Sequence, residues 1–307
     1  MLDSKKDYKA WLYLGIPLFL LTVFTFYPLI NTIMISFFSD YDSTMHNYGN
    51  VFNIEAYKAV LNNKFFRGAI VNTLLIVFIS VPVSTIIALL IAVSLNSIKP
   101  LQKFFQIIFF TPYVTNVLAI GMVFATMFFH PARGGGIRGE GLINSLFGLT
   151  TDWVGSNADK THWMFVVIFY IIWNALPFKI LVFIGGLQNI SKQYYDAAKI
   201  DSSTPRRTLF RITVPLLSPM ISYVLITSFI GSFKTYESVL AVAGTENGLA
   251  RDRLTIVAYV YQQIGMPYES GVVSEYSKGA AGAVLLFLII LIFTAFNLYI
   301  SKKRVHY

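Results

Sequence analysis

Residues 68–98 read GAIVNTLLIVFISVPVSTIIALLIAVSLNSI, thirty-one positions without a charge. A helix crosses the hydrocarbon core of a bilayer with about 20 apolar residues, so this run is long enough to span with residues to spare. Four more charge-free runs surround it, at 10–39, 104–129, 212–233 and 279–301, and a sixth at 163–191 is interrupted only by Lys179. The composition points the same way. The 307 residues are 55% hydrophobic and 13% charged, against about 25% charge in a soluble domain. So few charges cannot cover a water-soluble surface of this length. Six membrane helices are the expectation.

The first run follows Lys5, Lys6 and Lys9, as a secretory signal would. It is far longer than the apolar core of a signal peptide, about 7–15 residues, and no small-residue cleavage site closes it. A retained first helix over 11–38 is expected, after a short N-terminal segment, 1–10.

The net charge of +9 would suggest nucleic acid on a soluble protein. On a membrane protein it is read against the excess of Lys and Arg in cytoplasmic loops. Six spans put both termini on one side. If that side is cytoplasmic, it holds fourteen Lys/Arg and four acids, while the outer loops hold nine basic and ten acidic residues. The asymmetry predicts both termini inside, and the basic surplus needs no nucleic acid. With no cysteine and four scattered histidines, no metal site is expected.

The longest inner loop, 187–217, reads in part Ser191-Lys-Gln-Tyr-Tyr-Asp-Ala-Ala-Lys-Ile-Asp-Ser-Ser-Thr-Pro205-Arg-Arg-Thr-Leu-Phe-Arg-Ile-Thr-Val-Pro215-Leu-Leu. Ser191 is placed to cap a short helix. The Asp201–Thr204 stretch reads as a turn, with Ser203 or Thr204 capping a second helix that carries Pro205 at its first position. The expected form is helix–turn–helix, with the small residues Ala197 and Ala198 presented to another surface. An ordinary self-capped surface loop is the competing reading.

The run Tyr195-Asp-Ala-Ala-x-x-Asp-Ser, followed by Phe210-x-Ile-Thr-x-Pro215-Leu-Leu, resembles the Glu-Ala-Ala loop of ABC importer permeases. The flanking Gly185-Gly-Leu-Gln-Asn-Ile and Pro219 are similar to the sugar-importer branch, the maltose-transporter type. Weaker matches extend over nearly the whole chain: Tyr27-Pro-Leu-Ile, Asn72-Thr73, and Gly141-Leu-Ile-Asn-Ser-Leu-Phe with Trp153. Two positions depart from the pattern. Asp196 stands where that family has Glu, and Ser202 where it has Gly. If the turn holds position 202 at positive φ, a serine there is strained by about 1 kcal/mol.

The resemblance implies an all-α integral membrane protein with the six-helix transmembrane domain of a type I, MetI-like ABC importer, five of its helices within 68–301 and a cytoplasmic tail at 302–307. It also implies that Asp196, Ala197, Ala198, Asp201 and Ser202 form a coupling helix seated on an ATPase subunit. The implied assembly contains a second homologous permease, two ABC ATPase subunits and an extracytoplasmic solute-binding protein, with an oligosaccharide as cargo. It lies in the cytoplasmic (inner) membrane of a bacterium or archaeon. The chain itself would bind no cofactor, Mg-ATP belonging to the ATPases.

Ionisable residues inside spans are functional candidates by default. Lys179 lies in the fourth span, and Lys234 and Glu237 lie in the fifth at the i, i+3 spacing that lets them meet on one helix face. Structural alternatives are snorkelling for Lys179 and an interfacial ion pair for Lys234 and Glu237. Their neighbours favour a sugar path: Trp173, Asn174 and Phe178 on one span, and Ser232, Phe233, Thr235 and Tyr236 on the other. Aromatic faces and fixed hydrogen-bonding groups suit a sugar, and two lysines would suit an acidic one.

Other function classes fare worse. Residues 134–139 satisfy G-x-G-x-x-G but follow a span instead of a strand, so a dinucleotide site is not expected. No phosphate-loop motif occurs, so the chain is not its own ATPase. A membrane-embedded enzyme lacks an acid–base or metal cluster. An autonomous secondary sugar transporter would favour inverted repeats, and none is evident.

Overall fold

The structure is a computed structural model that describes residues 7–39, 41, 48, 51–98, 102–129, 141–155, 157–248, 250, 252–265 and 275–304. The basic residues Lys5, Lys6 and Lys99, the glycine-rich segment 134–139 and the end of the C-terminal tail lie outside them. Among the described residues the chain is helical, with no strand.

In chain order the helices are α1 (Asp7–Leu21), α2 (Tyr27–Ser36), α3 (Glu55–Asn62), α4 (Lys64–Ser97), α5 (Gln102–Val114), α6 (Val117–Met127), α7 (Leu142–Phe147), α8 (Lys160–Gln188), α9 (Lys192–Ile200), α10 (Pro205–Thr208), α11 (Val214–Leu216), α12 (Ser218–Phe233), α13 (Glu237–Gly248), α14 (Ile256–Gln263) and α15 (Tyr276–Arg304). Single π turns, Thr22–Phe26 and Leu209–Thr213, join α1 to α2 and α10 to α11.

Four stretches are long and apolar enough to cross a membrane: Tyr13–Ser36, Lys64–Ser97, Lys160–Gln188 and Tyr276–Lys302. A fifth is the bent pair Pro205–Leu216 and Ser218–Phe233, turned by 69°. Two of the six expected helices are broken in the structure. The run 212–233 is helical as one piece only from Ser218, because Leu217 ends the preceding turn and a new helix starts with Pro219 in its first turn. The run 104–129 is two helices, α5 and α6, parted where Asn116 takes extended backbone and its side chain accepts from the amides of Leu118 and Ala119. An asparagine cap competes with the helix that charge counting alone would continue. Between the apolar runs, the polar segments 40–67 and 245–278 carry the short helices α3 and α14.

Contacts divide the chain into two units, residues 1–66 with 259–287 and residues 67–258 with 288–307. In the first unit the helix pair α1–α2 leaves Trp11, Phe19, Phe24 and Tyr27 exposed, with none of its apolar window buried by the chain. Lipid tails satisfy such a surface as well as a core would. Phe66 and Tyr259 pack at 5.0 Å, and Phe37 stacks on Phe52 at 4.8 Å.

The second unit holds three apolar clusters. One gathers Ala88, Ala92, Phe183, Ile184, Leu217 and Val224 from α4, α8 and the start of α12. Another gathers Ile76, Trp163, Val167, Val239 and Ala243, and a third Phe124, Phe128, Val166, Tyr170 and Val242. The helix α13 packs closely on α6, where a Cβ at Gly121 would run into the backbone and side chain of Ala241.

Polar residues fasten this unit at its ends. Asn72 Nδ2 donates to the carbonyls of Asp252 (3.0 Å) and Leu254 (2.9 Å), and Thr73 Oγ1 accepts from the Ile256 amide at 3.0 Å. Asn144 joins Trp153 Nε1 to the Thr151 carbonyl. The buried Arg253 guanidinium donates to the carbonyls of Gly155 and Ala158. Asp159 caps α8 by accepting from the Thr161 amide at 3.0 Å, and this bond holds its carboxyl below the ordinary value.

Candidate functional site

Two features of the second unit bear on function, a polar cavity and the helix–turn–helix after α8. The cavity encloses about 220 Å3 between α4, α8, α12 and the start of α13. Ser80, Ser84, Asn174, Lys179, Ser228, Ser232, Thr235 and Ser238 line it, with Ile171, Ala175 and Gly231. A wall so rich in hydroxyls is costly inside an apolar bundle unless something polar uses it. The Ser80 Oγ is buried without a hydrogen-bond partner among the described residues. A larger groove of about 560 Å3 between the start of α12 and the end of α15 has mainly aliphatic walls (Val214, Ile221, Leu225, Ile226, Ile300). The smaller cavity is the better candidate for a hydroxyl-rich cargo.

Of the expected path residues, Asn174, Lys179, Ser232 and Thr235 come together on this cavity. The aromatic residues do not line it. Trp173 packs on Phe124 at 5.1 Å, Phe178 stacks on Tyr113 at 6.0 Å, and Phe233 is buried against Phe293 at 5.2 Å. Tyr236 is half-buried between α12 and α13. The expectation that Lys234 and Glu237 share a helix face is corrected. The helix ends at Phe233, Lys234 takes non-helical backbone, and α13 begins at Glu237. Both side chains are exposed and no ion pair joins them among the described residues. Ser80, Ser84, Ser228 and Ser238 were missed from sequence, because a serine inside an apolar run carries no periodic signal of its own.

Lys179 is 3% exposed. Its ammonium donates to Ser84 Oγ at 2.7 Å, Thr85 Oγ1 at 3.0 Å and the Val81 carbonyl at 3.4 Å. It is therefore not snorkelling, and among the described residues it is not paired with a carboxylate.

The second feature is α9 and its turn. Ser191 caps α9 by accepting from the Gln193 amide, and Thr204 caps α10 by accepting from the Arg207 amide, with Pro205 at the first position. The turn between them is a Schellman motif: the Ser203 amide donates to the Ala198 carbonyl at 2.9 Å and the Ser202 amide to the Lys199 carbonyl at 3.0 Å. This arrangement requires a left-handed residue just past the cap. That residue is Ser202, at φ 51°, the one non-glycine at positive φ among the described residues. Asp196, Ala197, Asp201 and Ser202 are exposed. Ala198 is not. At 6% exposure it is covered by this chain, so the expected small face reduces to Ala197, beside an Ile200 that is 84% exposed.

A family model, binding-protein-dependent transport system inner membrane component, matches residues 56–306. The chain belongs to this family. It is a multi-pass membrane permease, a transport component and not an enzyme. The arabinooligosaccharides transport system permease protein AraP of Bacillus subtilis (strain 168) is 32% identical to this permease, over 91% of this chain and 84% of the relative. The lactose transport system permease protein LacF of Rhizobium radiobacter is 24% identical, over 97% and 95%. A chain from the crystal structure of a bacterial alginate ABC transporter, in complex with an alginate pentasaccharide-bound periplasmic protein, has the same fold. It superposes with TM-score 0.80 at 18% identity, over 97% of this permease and 96% of that chain.

Proposed function

We propose that this permease is one transmembrane subunit of an ATP-driven importer that takes up an oligosaccharide from an extracytoplasmic binding protein. The observation that carries the cargo class is the 32% identity to an arabinooligosaccharide permease across nine-tenths of the chain, and the hydroxyl-lined cavity of the bundle is chemically suited to it. A second homologous permease and two ABC ATPase subunits complete the assembly, and Mg-ATP is held by the ATPases. The chain crosses the cytoplasmic membrane of a bacterium or archaeon six times with both termini inside. The helix pairs α1–α2 and α5–α6 each serve as one crossing, together with α4, α8, α12 and α15. The charge distribution supports this orientation.

In this reading α9 and its turn rest on an ATPase through Asp196, Ala197, Asp201 and Ser202, with Ile200 as an apolar anchor. An isoleucine so exposed at the end of a short polar helix suits burial against a partner. Ala198 acts from beneath, by letting α9 pack close to its own chain. Closure of the ATPases on ATP then moves α9, and α9 moves the bent helix α12 that walls the cavity.

The test is purification from native membranes, followed by ATPase assays with the binding protein and a panel of saccharides. A co-purifying ATPase, stimulated by a loaded binding protein, is the expected result, and Ala197→Trp should abolish that stimulation while assembly in the membrane persists. Absence of any co-purifying ATPase, or saccharide uptake by the isolated chain without ATP, would replace this reading with that of a secondary transporter.

A further inference from the structure

Resting on the importer reading, we propose that Lys179 is a positioning residue of the cavity: it latches α8 to the proline-bearing segment of α4 and does not contact the cargo. An ammonium has three donors, and all three are used on α4: the Val81 carbonyl and the hydroxyls of Ser84 and Thr85. Those hydroxyls are committed as well. Ser84 donates to the Ser80 carbonyl, and Thr85 donates to the Val81 carbonyl at 2.6 Å. The lysine thus completes a chain of bonds in which each hydroxyl accepts from the ammonium and donates to backbone, an order in which each bond polarises the next.

The place where this happens is the weak point of α4. Pro82 sits inside that helix and gives no amide to its ladder, which loosens a long helix at the proline. The atoms Lys179 holds flank that residue on α4, so the ammonium clamps the loosened segment against a second helix. Ser80 and Ser84 on α4, and Asn174 and Lys179 on α8, line the same cavity. Whatever sets the register of these two helices therefore sets the spacing of the hydroxyls the cargo meets. A desolvated cation without a carboxylate partner is also expensive, and an apolar side chain of similar length would pack there at lower cost. Its presence is accounted for by a bond that an apolar chain cannot make.

The chain has no cysteine, so the latch can be read directly with spin labels. Labels are placed at Ile86→Cys on α4 and Leu181→Cys on α8, both exposed in this chain, within the assembled importer. The label-to-label distance distribution is compared for the parent, Lys179→Met, Thr85→Val and the double variant. Lys179→Met should broaden the distribution. Thr85→Val, which removes one acceptor and leaves the ammonium, should broaden it less. The double variant should be no broader than Lys179→Met alone, the non-additivity expected of two partners in one bond network.

Uptake of arabinotriose into proteoliposomes supplies the second readout. Lys179→Met should lower the maximal rate about tenfold, since the loosened wall no longer presents the cavity hydroxyls to the cargo at a fixed spacing. An unbroadened distribution, or an unchanged maximal rate, would overturn the latch. If Lys179→Met does not assemble, Thr85→Val decides alone by the same label criterion. If the parent importer moves no saccharide at all, the importer reading fails, while the label distances still decide whether Lys179 is a latch.

Discussion

Ser202 shows how one side chain can be read from sequence and then explained by geometry. The family pattern that the loop resembles implies a glycine there, and the sequence alone could say only that a serine would be strained if the turn demanded positive φ. The turn does demand it, because the two backbone bonds to Ala198 and Lys199 close only around a left-handed residue. Ser202→Gly relieves the strain but adds freedom to the unfolded chain, so a gain of a few tenths of a kcal/mol is expected. A β-branched replacement has no such compensation. Ser202→Val should destabilise the turn by about 1–2 kcal/mol relative to the glycine variant, read as faster hydrogen exchange at the Ser203 amide. Equal exchange rates in the two variants would contradict the strain. Ala198 makes the opposite point, since its burial depends on what lies beneath α9 and no local pattern announces that.

Among elements, the helices with strong local signals were legible and the broken ones were not. Ser191, and Ser203 or Thr204 with Pro205, mark the starts of α9 and α10 by residue type and spacing, and the structure selects Thr204. The divisions of 104–129 and 212–233 escaped, because a membrane span is recognised by what it lacks, and lack of charge does not register a cap or a bend. The same limit applied to Lys234 and Glu237, whose spacing implied a shared face only while one helix was assumed to run through both. Packing sets further constraints at this scale. Gly121→Ala should overfill the contact between α6 and α13 and cost about 1–3 kcal/mol, measured as a lowered unfolding midpoint in detergent, whereas an unchanged midpoint would mean the two helices part easily. The cap of α8 carries a pH dependence. The Asp159 carboxyl is held below its ordinary 3.8 by the Thr161 amide. Its contribution is complete above that value and is lost as pH falls through the lower folded value. Asp159→Asn should remove this acid-limb dependence of local exchange at the start of α8.

At the scale of the whole molecule, the proposed orientation rests on the distribution of charge. In the proposed orientation, a cysteine introduced at the exposed Arg206 of this cysteine-free chain should react with an impermeant reagent only from the cytoplasmic face. One introduced at the exposed Leu146 should react only from outside. The reverse pattern would invert the topology. The exposed apolar length of α1–α2 and the exposed Ile200 are surfaces of a protein made to sit among lipids and partners. What the sequence determined by itself was the solvent: too few charges, in runs too long, leave only a bilayer, and this follows from composition and needs no contacts. It also marked the helix–turn–helix after α8, because capping residues act within a few positions, while the left-handed form of its turn came from the structure. Only the tertiary structure decided which polar groups face one another. Ser84 and Thr85 lie more than ninety residues from Lys179, and a hydrogen bond between distant segments depends on how helices pack, which no short stretch of chain encodes.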